Sequence, residues 1–267
     1  MPMNMKDPMN DLEQAYLSGL RGPEGRPDLF RQLRESILAF LMPYHPELEE
    51  MMELEGGDAL SFIVWEGPKG SFVPIFTSME RAEQAVKQVG AEDTQQSLAE
   101  MPGEMLFKVL TTQQRGVVIN PACGMGEMFL DLNAVKMLAD GSILKPIATG
   151  AKQGGGVKIV DPADYPTDFI QPLFRFLRGR AEVKAAWLLQ RDPAPDPAKP
   201  FYIFGLLATG DAEQLEQDFA VVAQSSRLHG ADFGVILLDV KIPKMAAVMA
   251  KFPPVYAAPD FCPPKRN

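Results

Sequence analysis

The sequence has few residues of the kinds that build reactive centres or cross-links: two of its 267 residues are cysteine and two are histidine. Cys123 and Cys262 lie far apart, and we expect both to be free thiols in a reducing compartment. The motifs C-x-x-C, H-E-x-x-H and G-x-S-x-G do not occur. These motifs are the usual local indicators of zinc sites and hydrolase nucleophiles, so the sequence gives no such indication of either. We therefore predict no catalytic residue, no metal site and no cofactor.

Long hydrophobic runs are also missing. The apolar stretch at residues 201–208 has eight residues, far fewer than the ~18–20 that a membrane-spanning helix needs. Residues 1–10 contain one lysine and two prolines and no apolar segment, which is unlike a secretory signal. We expect no membrane association and a cytoplasmic location.

Positive charge is scarce. The formal net charge is −9, and no lysine or arginine cluster offsets it beyond Lys265 and Arg266 near the end. Because such a field repels phosphate backbones, we do not expect nucleic acid as a partner.

The negative charge is concentrated in one stretch. Eight acidic residues and no lysine or arginine occur between residues 35 and 68. The stretch lacks the Asp-x-Asp-x-Asp-Gly alternation of calcium loops, and methionines interrupt it, so a solvated amphipathic helix explains it more simply. Its Met/Leu strip would pack on the core or dock a basic partner. The second alternative predicts an interaction surface for an unknown protein partner, made by Glu49, Glu50, Met51, Met52 and Glu53.

Hydrophobic periodicity predicts an α+β fold with two domains, each a small mixed sheet covered by helices, over residues 1–150 and 160–267. A first helix follows Asn10, which forms a capping-box pattern with Glu13, and a second begins at Asp28 and carries its apolar stripe to Leu41. The glycine-rich segment near residues 150–160 separates the domains.

The rest of the first domain is expected to contain strands at 60–65, 71–75 and 116–119, helices after Thr77 and near 101–110, and a last strand and helix ending at Gly141. Thr77 and Glu80 have the spacing of a capping box. In the second domain the pattern predicts helices at 168–178, 211–226 and 244–251. A half-covered strand at 182–190 and two central strands at 201–208 and 233–240 complete it.

Cys123 follows a strand in a loop, where a nucleophile could be displayed, but a small residue filling a tight loop explains it as well. Gly124 and Gly126 begin like a dinucleotide fingerprint, yet Phe129 occupies the place of the third glycine. His45 and His229 fit helix-terminating turns.

A ligand cleft is the second hypothesis for a site. Two strands end next to polar residues, and capped helix starts offer backbone N–H groups suited to a carboxylate. The residues expected to line this cleft are Phe76, Thr77, Ser78, Asn120 and Pro121.

Several short motifs occur in a distinctive order: L-F-R-Q-L at 29–33, V-P-I-F-T-S-M-E-R-A at 73–82, G-V-V-I-N-P at 116–121, P-L-F-R-F-L-R-G-R-A-E-V-K at 172–184 and F-P-P-V-Y at 252–256. In this order the chain resembles the SseB family, named for enhanced serine sensitivity. The resemblance implies an N-terminal and a C-terminal SseB domain in a bacterial cytosolic protein of unestablished biochemical activity, and it brings no catalytic residues.

These observations favour a non-enzymatic protein-interaction module linked to serine sensitivity. The alternative is a small-molecule protein that binds or senses an amino acid, and an uncharacterised enzyme is a third. A type III secretion filament subunit shares the family's name. Such subunits rely on long coiled coils, whereas this chain has 24 prolines and no sustained heptads.

Overall fold

The computed structural model describes residues 8, 10–44, 60–68, 70–92, 95–145, 158–210, 212–226 and 232–262. In that part the chain forms two compact units, each built from helices and a mixed sheet, which confirms the α+β two-domain prediction. Unit 1 comprises Met1–Arg21 and Asp28–Ile143, and unit 2 comprises Gly22–Pro27 and Leu144–Asn267. Within the described ranges, no helix is both long enough and apolar enough to cross a bilayer.

Among the residues that the structure describes, five α-helices and six strands lie wholly or mostly in unit 1. The helices are α1 (Asp11–Arg21), α2 (Arg26–Glu35), α3 (Met79–Gln88), α4 (Gly103–Leu110) and α5 (Leu132–Asp140). The strands are β1 (Ile37–Pro43), β2 (Trp65–Gly67), β3 (Gly70–Phe76), β4 (Gln96–Pro102), β5 (Gly116–Ile119) and β6 (Met128–Leu130).

The strand order in this sheet is β4-β1-β3-β5-β6, with β2 paired to β3 as well. β3 and β5 run parallel, with Phe72 opposite Gly116 and Ile75 opposite Ile119. Because parallel strands end at the same edge, the residues that follow β3 and β5 meet there. This register therefore determines where the polar residues that follow the two strands lie.

The second predicted helix is wrong from residue 36 onward. α2 ends at Glu35, and Ile37–Pro43 is a strand that pairs antiparallel with both β3 and β4. The apolar run from Ile37 to Met42 repeats hydrophobic residues at helical spacing but is also continuous, as in a strand covered on both faces. Residues 38–41 are all buried, so burial on both faces decides the outcome.

Two other elements of unit 1 differ from expectation. The sequence pattern does not predict β4, because its half-exposed residues show weak alternation. Residues 60–64 precede β2 rather than forming a strand. The predicted strand at 116–119 is confirmed, as is the helix that ends at Gly141, whose φ of 75° suits a glycine at a helix terminus.

Unit 2 contains three helices and five strands in the part of the chain that the structure describes. They are β7 (Lys158–Val160), α6 (Thr167–Arg178), β8 (Val183–Asp192), β9 (Phe201–Ala208), α7 (Ala212–Ser225), β10 (Asp232–Leu237), α8 (Pro243–Lys251) and β11 (Tyr256–Ala257). The sheet has the order β10-β9-β8-β11, with β7 also paired to β8. The three predicted helices are confirmed, and β9 is central as expected.

Two predictions for the second sheet are wrong, one about how its faces are covered and one about its strand order. The expected half-covered strand, β8, is instead covered on both sides, because Leu188 lies in one apolar cluster and Trp187 in another on the opposite face. Trp187 is buried and donates its indole N–H to the carbonyl of Phe252 at 3.0 Å. The predicted central position of β10 is also wrong, since β10 lies at the edge of the sheet as described.

A glycine contact gives a direct test of unit 1. A Cβ built on Gly103, where β4 turns into α4, would lie 1.8 Å from the carbonyl oxygen of Leu33. Since no rotamer change moves a backbone oxygen, we expect Gly103→Ala to lower the free energy of unfolding by about 3 kcal/mol or more. Urea unfolding followed by circular dichroism measures this.

Gly90→Ala is the matched control in the same unit. Gly90 has a φ of 67°, and a Cβ at this position would meet nothing within 4 Å, so the change adds backbone strain without a clash. We expect it to cost about 1 kcal/mol. Equal effects of the two substitutions would contradict the close approach at Gly103.

Candidate functional site

The parallel strands β3 and β5 bring Thr77 and Asn120 together just beyond their carboxyl ends. The Thr77 backbone N–H donates to Asn120 Oδ1 at 3.0 Å, and Asn120 Nδ2 donates to Thr77 Oγ1 at 3.0 Å. Thr77 Oγ1 in turn donates to Glu13 Oε1 at 3.1 Å. All three side chains are buried, so the hydrogen bonds form a directed chain away from solvent.

This chain ends on a buried ion pair between α1 and α3. Arg81 Nε and Nη2 donate to the two carboxylate oxygens of Glu13, each at 2.9 Å. The side chains are 1% and 0% exposed. Hydrogen bonding to Glu13 raises the pKa of Arg81 further above its usual value. The fork geometry lets a buried guanidinium and carboxylate satisfy each other's polar atoms.

The loop after β5 has an unusual backbone. Asn120, Ala122, Gly124 and Gly126 all have φ between 54° and 95°. Asparagine tolerates this left-handed region, but an alanine in it, such as Ala122, costs about 1–2 kcal/mol. The Tyr16 hydroxyl of α1 lies 2.9 Å from the carbonyl oxygens of both Ile119 and Gly126, so it binds the two ends of the loop.

Cys123 is enclosed within this loop. Its side chain is buried, and its thiol donates to the carbonyl oxygen of Asn120 at 3.3 Å. Burial raises the pKa of the thiol, and burial likewise raises the pKa of the Tyr16 hydroxyl. Both groups are therefore neutral at physiological pH and act as hydrogen-bond donors, since a thiol must ionise to become a strong nucleophile.

Of the five residues of the predicted ligand cleft, Thr77 and Asn120 come together, and their side chains are bonded to each other. Phe76, Thr77, Asn120 and Pro121 are buried, and Ser78 is half-buried. Ser78, and not Thr77 as predicted, is the N-cap of α3, where its Oγ accepts from the Arg81 backbone N–H at 3.3 Å. Ligand binding at these residues stays a prediction.

The predicted interaction surface (Glu49, Glu50, Met51, Met52 and Glu53) lies outside the described residues, as do His45 and His229. No group of three or more metal-ligating side chains occurs among the residues that the structure describes.

Sequence reasoning misses the roles of Glu13 and Arg81. The capping-box pattern is half right, because the Glu13 backbone N–H donates to Asn10 Oδ1 at 2.8 Å while the carboxylate binds Arg81. Arg81, Ala82 and Ala85 of α3 are buried, whereas Val89, the residue after the helix, is exposed. No local signal marks the pair, because its two residues lie 68 positions apart in the sequence.

A second feature of unit 1 is a surface cavity of about 210 Å³ on the sheet. Register places Phe72, Val118 and Phe129 on one face of β3, β5 and β6, and Glu127 precedes Phe129 by two residues. The cavity is lined by Gly67, Pro68, Phe72, Val118, Glu127 and Phe129. Phe129 is 39% exposed, so one aromatic wall is open to solvent.

Removing one partner of the buried ion pair tests how much the pair contributes to the stability of unit 1. Arg81→Met leaves the Glu13 carboxylate buried without its guanidinium, and we expect unit 1 to lose about 3–5 kcal/mol of stability. The double variant Glu13→Met/Arg81→Met should recover to within about 2 kcal/mol of the wild type, because no charge is left buried. Urea unfolding gives both values.

The control for that experiment is Glu104→Gln, which breaks an exposed pair in which Lys108 Nζ lies 2.7 Å from Glu104 Oε1. We expect little change in stability, since solvent screens exposed pairs. If the double variant is less stable than Arg81→Met alone, the cost of the single substitution does not come from an unpaired buried charge, and this account of the ion pair is wrong.

Thiol labelling tests the enclosure of Cys123. With Cys262→Ser removing the exposed thiol, we expect native protein to give no reaction with a disulfide reagent at pH 7 or pH 8.5, because the thiol is buried and its pKa is raised. Denaturant should release one thiol per chain. Cys123→Ser is the converse control and should leave one fast-reacting thiol, and rapid labelling of Cys123 in native protein would contradict this structure of the loop.

Comparison with known proteins assigns both halves of the chain. The model of the SseB protein N-terminal domain matches residues 12–136, and that of the SseB protein C-terminal domain matches residues 151–257. No curated protein and no solved structure gave a match. The two matches follow each other in the order of the two described units and span most of the sequence, and the chain therefore belongs to the SseB family.

Proposed function

We propose that this SseB-family chain is a non-enzymatic protein-binding module of the bacterial cytoplasm. The observation that carries the proposal is the cavity on the sheet of unit 1, with its solvent-exposed aromatic wall at Phe129. Aromatic residues at a surface depression supply much of the energy of protein interfaces, because they bury a large area at low entropic cost.

The buried polar groups of unit 1 support the same proposal. Glu13 and Arg81 neutralise each other, Thr77 and Asn120 are bonded in the same chain, and the Cys123 thiol is held protonated. Side chains whose chemistry could otherwise serve a reaction are thus used to hold α1, α3 and two loops. We therefore assign the recognition of a partner to the surface of the unit.

Charge indicates the kind of partner. The chain has a net charge of −9, and the acidic stretch between residues 35 and 68, which contains Glu49, Glu50 and Glu53, extends through β2 in the sequence. A basic protein surface would be attracted to such a field and would associate faster at low salt. The family name carries a link to serine sensitivity, and we propose that this link comes from the function of that partner.

Site-specific photo-crosslinking in cells of the source organism tests this function. A photoreactive phenylalanine analogue at Phe129 should give a crosslinked species of defined mass, and the same analogue at Tyr165, an exposed aromatic of unit 2, should not give that species. Mass spectrometry identifies the partner, and the crosslink should weaken at high salt.

Two results would contradict the proposal. One is the absence of any crosslink at Phe129 in protein that is folded by circular dichroism. The other is a reproducible thermal stabilisation by a free amino acid, because a ligand that binds the native state stabilises it increasingly as its concentration rises above Kd, and such binding would favour the sensing alternative.

A further inference from the structure

We infer that the cavity beside Phe129 receives the side chain of a lysine or arginine that belongs to the partner protein. This inference rests on the proposed protein-binding function and specifies the chemistry that the surface recognises. It follows from the size of the cavity, the charge and aromatic character of its walls, and the way in which its rings are held.

Size limits the occupant to a group about as large as one side chain. The cavity measures about 210 Å³, below the ~300–1,000 Å³ that is usual for pockets of drug-sized ligands. An extended aliphatic chain with a charged end fits a depression of this kind between two rings. A nucleotide or a larger cofactor does not.

The walls of the cavity suit a cation on an apolar stem. Two of its six lining residues are phenylalanines, and Glu127 is the member of this set that carries a charge. Ring faces attract an ammonium or guanidinium group, while Val118 and Pro68 contact the methylene groups. The nearby guanidinium of Arg115 is turned to Ser71, with Nη1 donating to Oγ at 2.7 Å.

The same charge disfavours a free amino acid. A zwitterion would bring its own carboxylate into a small cavity that Glu127 lines, and like charges at close range repel. A side chain within a polypeptide has its carboxyl group in an amide bond. The cavity therefore discriminates for a residue in a protein.

Glycines hold the two rings in place. A Cβ on Gly116 would lie 2.7 Å from two carbons of the Phe129 ring, and a Cβ on Gly67 would lie 2.8 Å from Phe72 Cε1. Each ring thus rests directly on a backbone that has no side chain. Trp65 braces Phe72 edge to face, with ring centroids 6.4 Å apart. Rings positioned before binding lose little entropy when a ligand arrives.

The test is a titration of ¹⁵N-labelled full-length chain with Nα-acetyl-lysine N-methylamide, followed by NMR. We expect amide shifts at Gly67, Gly116 and Phe129. The Nε-acetylated probe and the norleucine analogue, which keep the stem and remove the charge, should bind at least about fivefold more weakly. Free L-lysine should also bind more weakly than the capped probe, and equal binding would overturn the assignment to a protein residue.

Variants separate the cavity from the rest of the surface. Glu127→Gln should weaken binding of the capped probe about two- to fivefold, in line with an exposed charge pair. Phe129→Ala should abolish the shifts while the spectrum elsewhere remains that of folded protein. Glu66→Gln, at an exposed acid of β2 outside the cavity, is the matched control and should have no effect.

The outcome can be told apart from that of the proposed function. If Phe129 crosslinks to a partner but neither the capped lysine probe nor an arginine probe capped in the same way gives shifts at the cavity, the protein-binding function stands and this inference is wrong. Replacing the partner's crosslinked basic residue by glutamine should remove the crosslink, and its persistence would also overturn the inference.

Discussion

The buried pair of Glu13 and Arg81 is the constraint on which unit 1 depends. Moving either charge from water into the interior costs several kcal/mol, and the cost is met only when both partners are present in bidentate geometry. Their side chains come from α1 and α3, so the position of each helix on the sheet is fixed by the other. Thr77 extends this requirement to the end of β3, and Asn120 extends it to the end of β5.

In that arrangement the buried polar groups of unit 1 and its cavity lie at different places on the sheet. The edge of the sheet where parallel strands end is a common place for ligands in α/β proteins, but here it is filled by the protein's own polar side chains and by the loop around Cys123. The solvent-facing feature lies farther along the sheet, where Phe72, Val118 and Phe129 share one face. Buried polar groups thus occupy the end of the parallel strands in this unit, and apolar groups line a cavity at its surface.

Sequence patterns predict elements correctly where local chemistry is unambiguous. The helix that ends at Gly141 and the strand at residues 201–208 are examples. The run from Ile37 to Met42 is misassigned because continuous apolar residues satisfy a helical period as well as a buried strand. The ion pair joins residues 68 positions apart, and the cavity depends on the register of three strands. Neither leaves a local pattern in the sequence.

The glycines beneath the aromatic rings have a consequence for divergence among proteins of this fold. A methyl group at Gly116 would clash with the Phe129 ring and would lie 3.0 Å from the carbonyl oxygen of Leu130 in β6, so both the ring and the pairing of β5 with β6 would have to adjust. Under the proposed function, a substitution at Gly116, which lies outside the six described lining residues, would change the shape of the binding surface indirectly. Variation at this glycine is thus one route by which related chains would come to bind different partners.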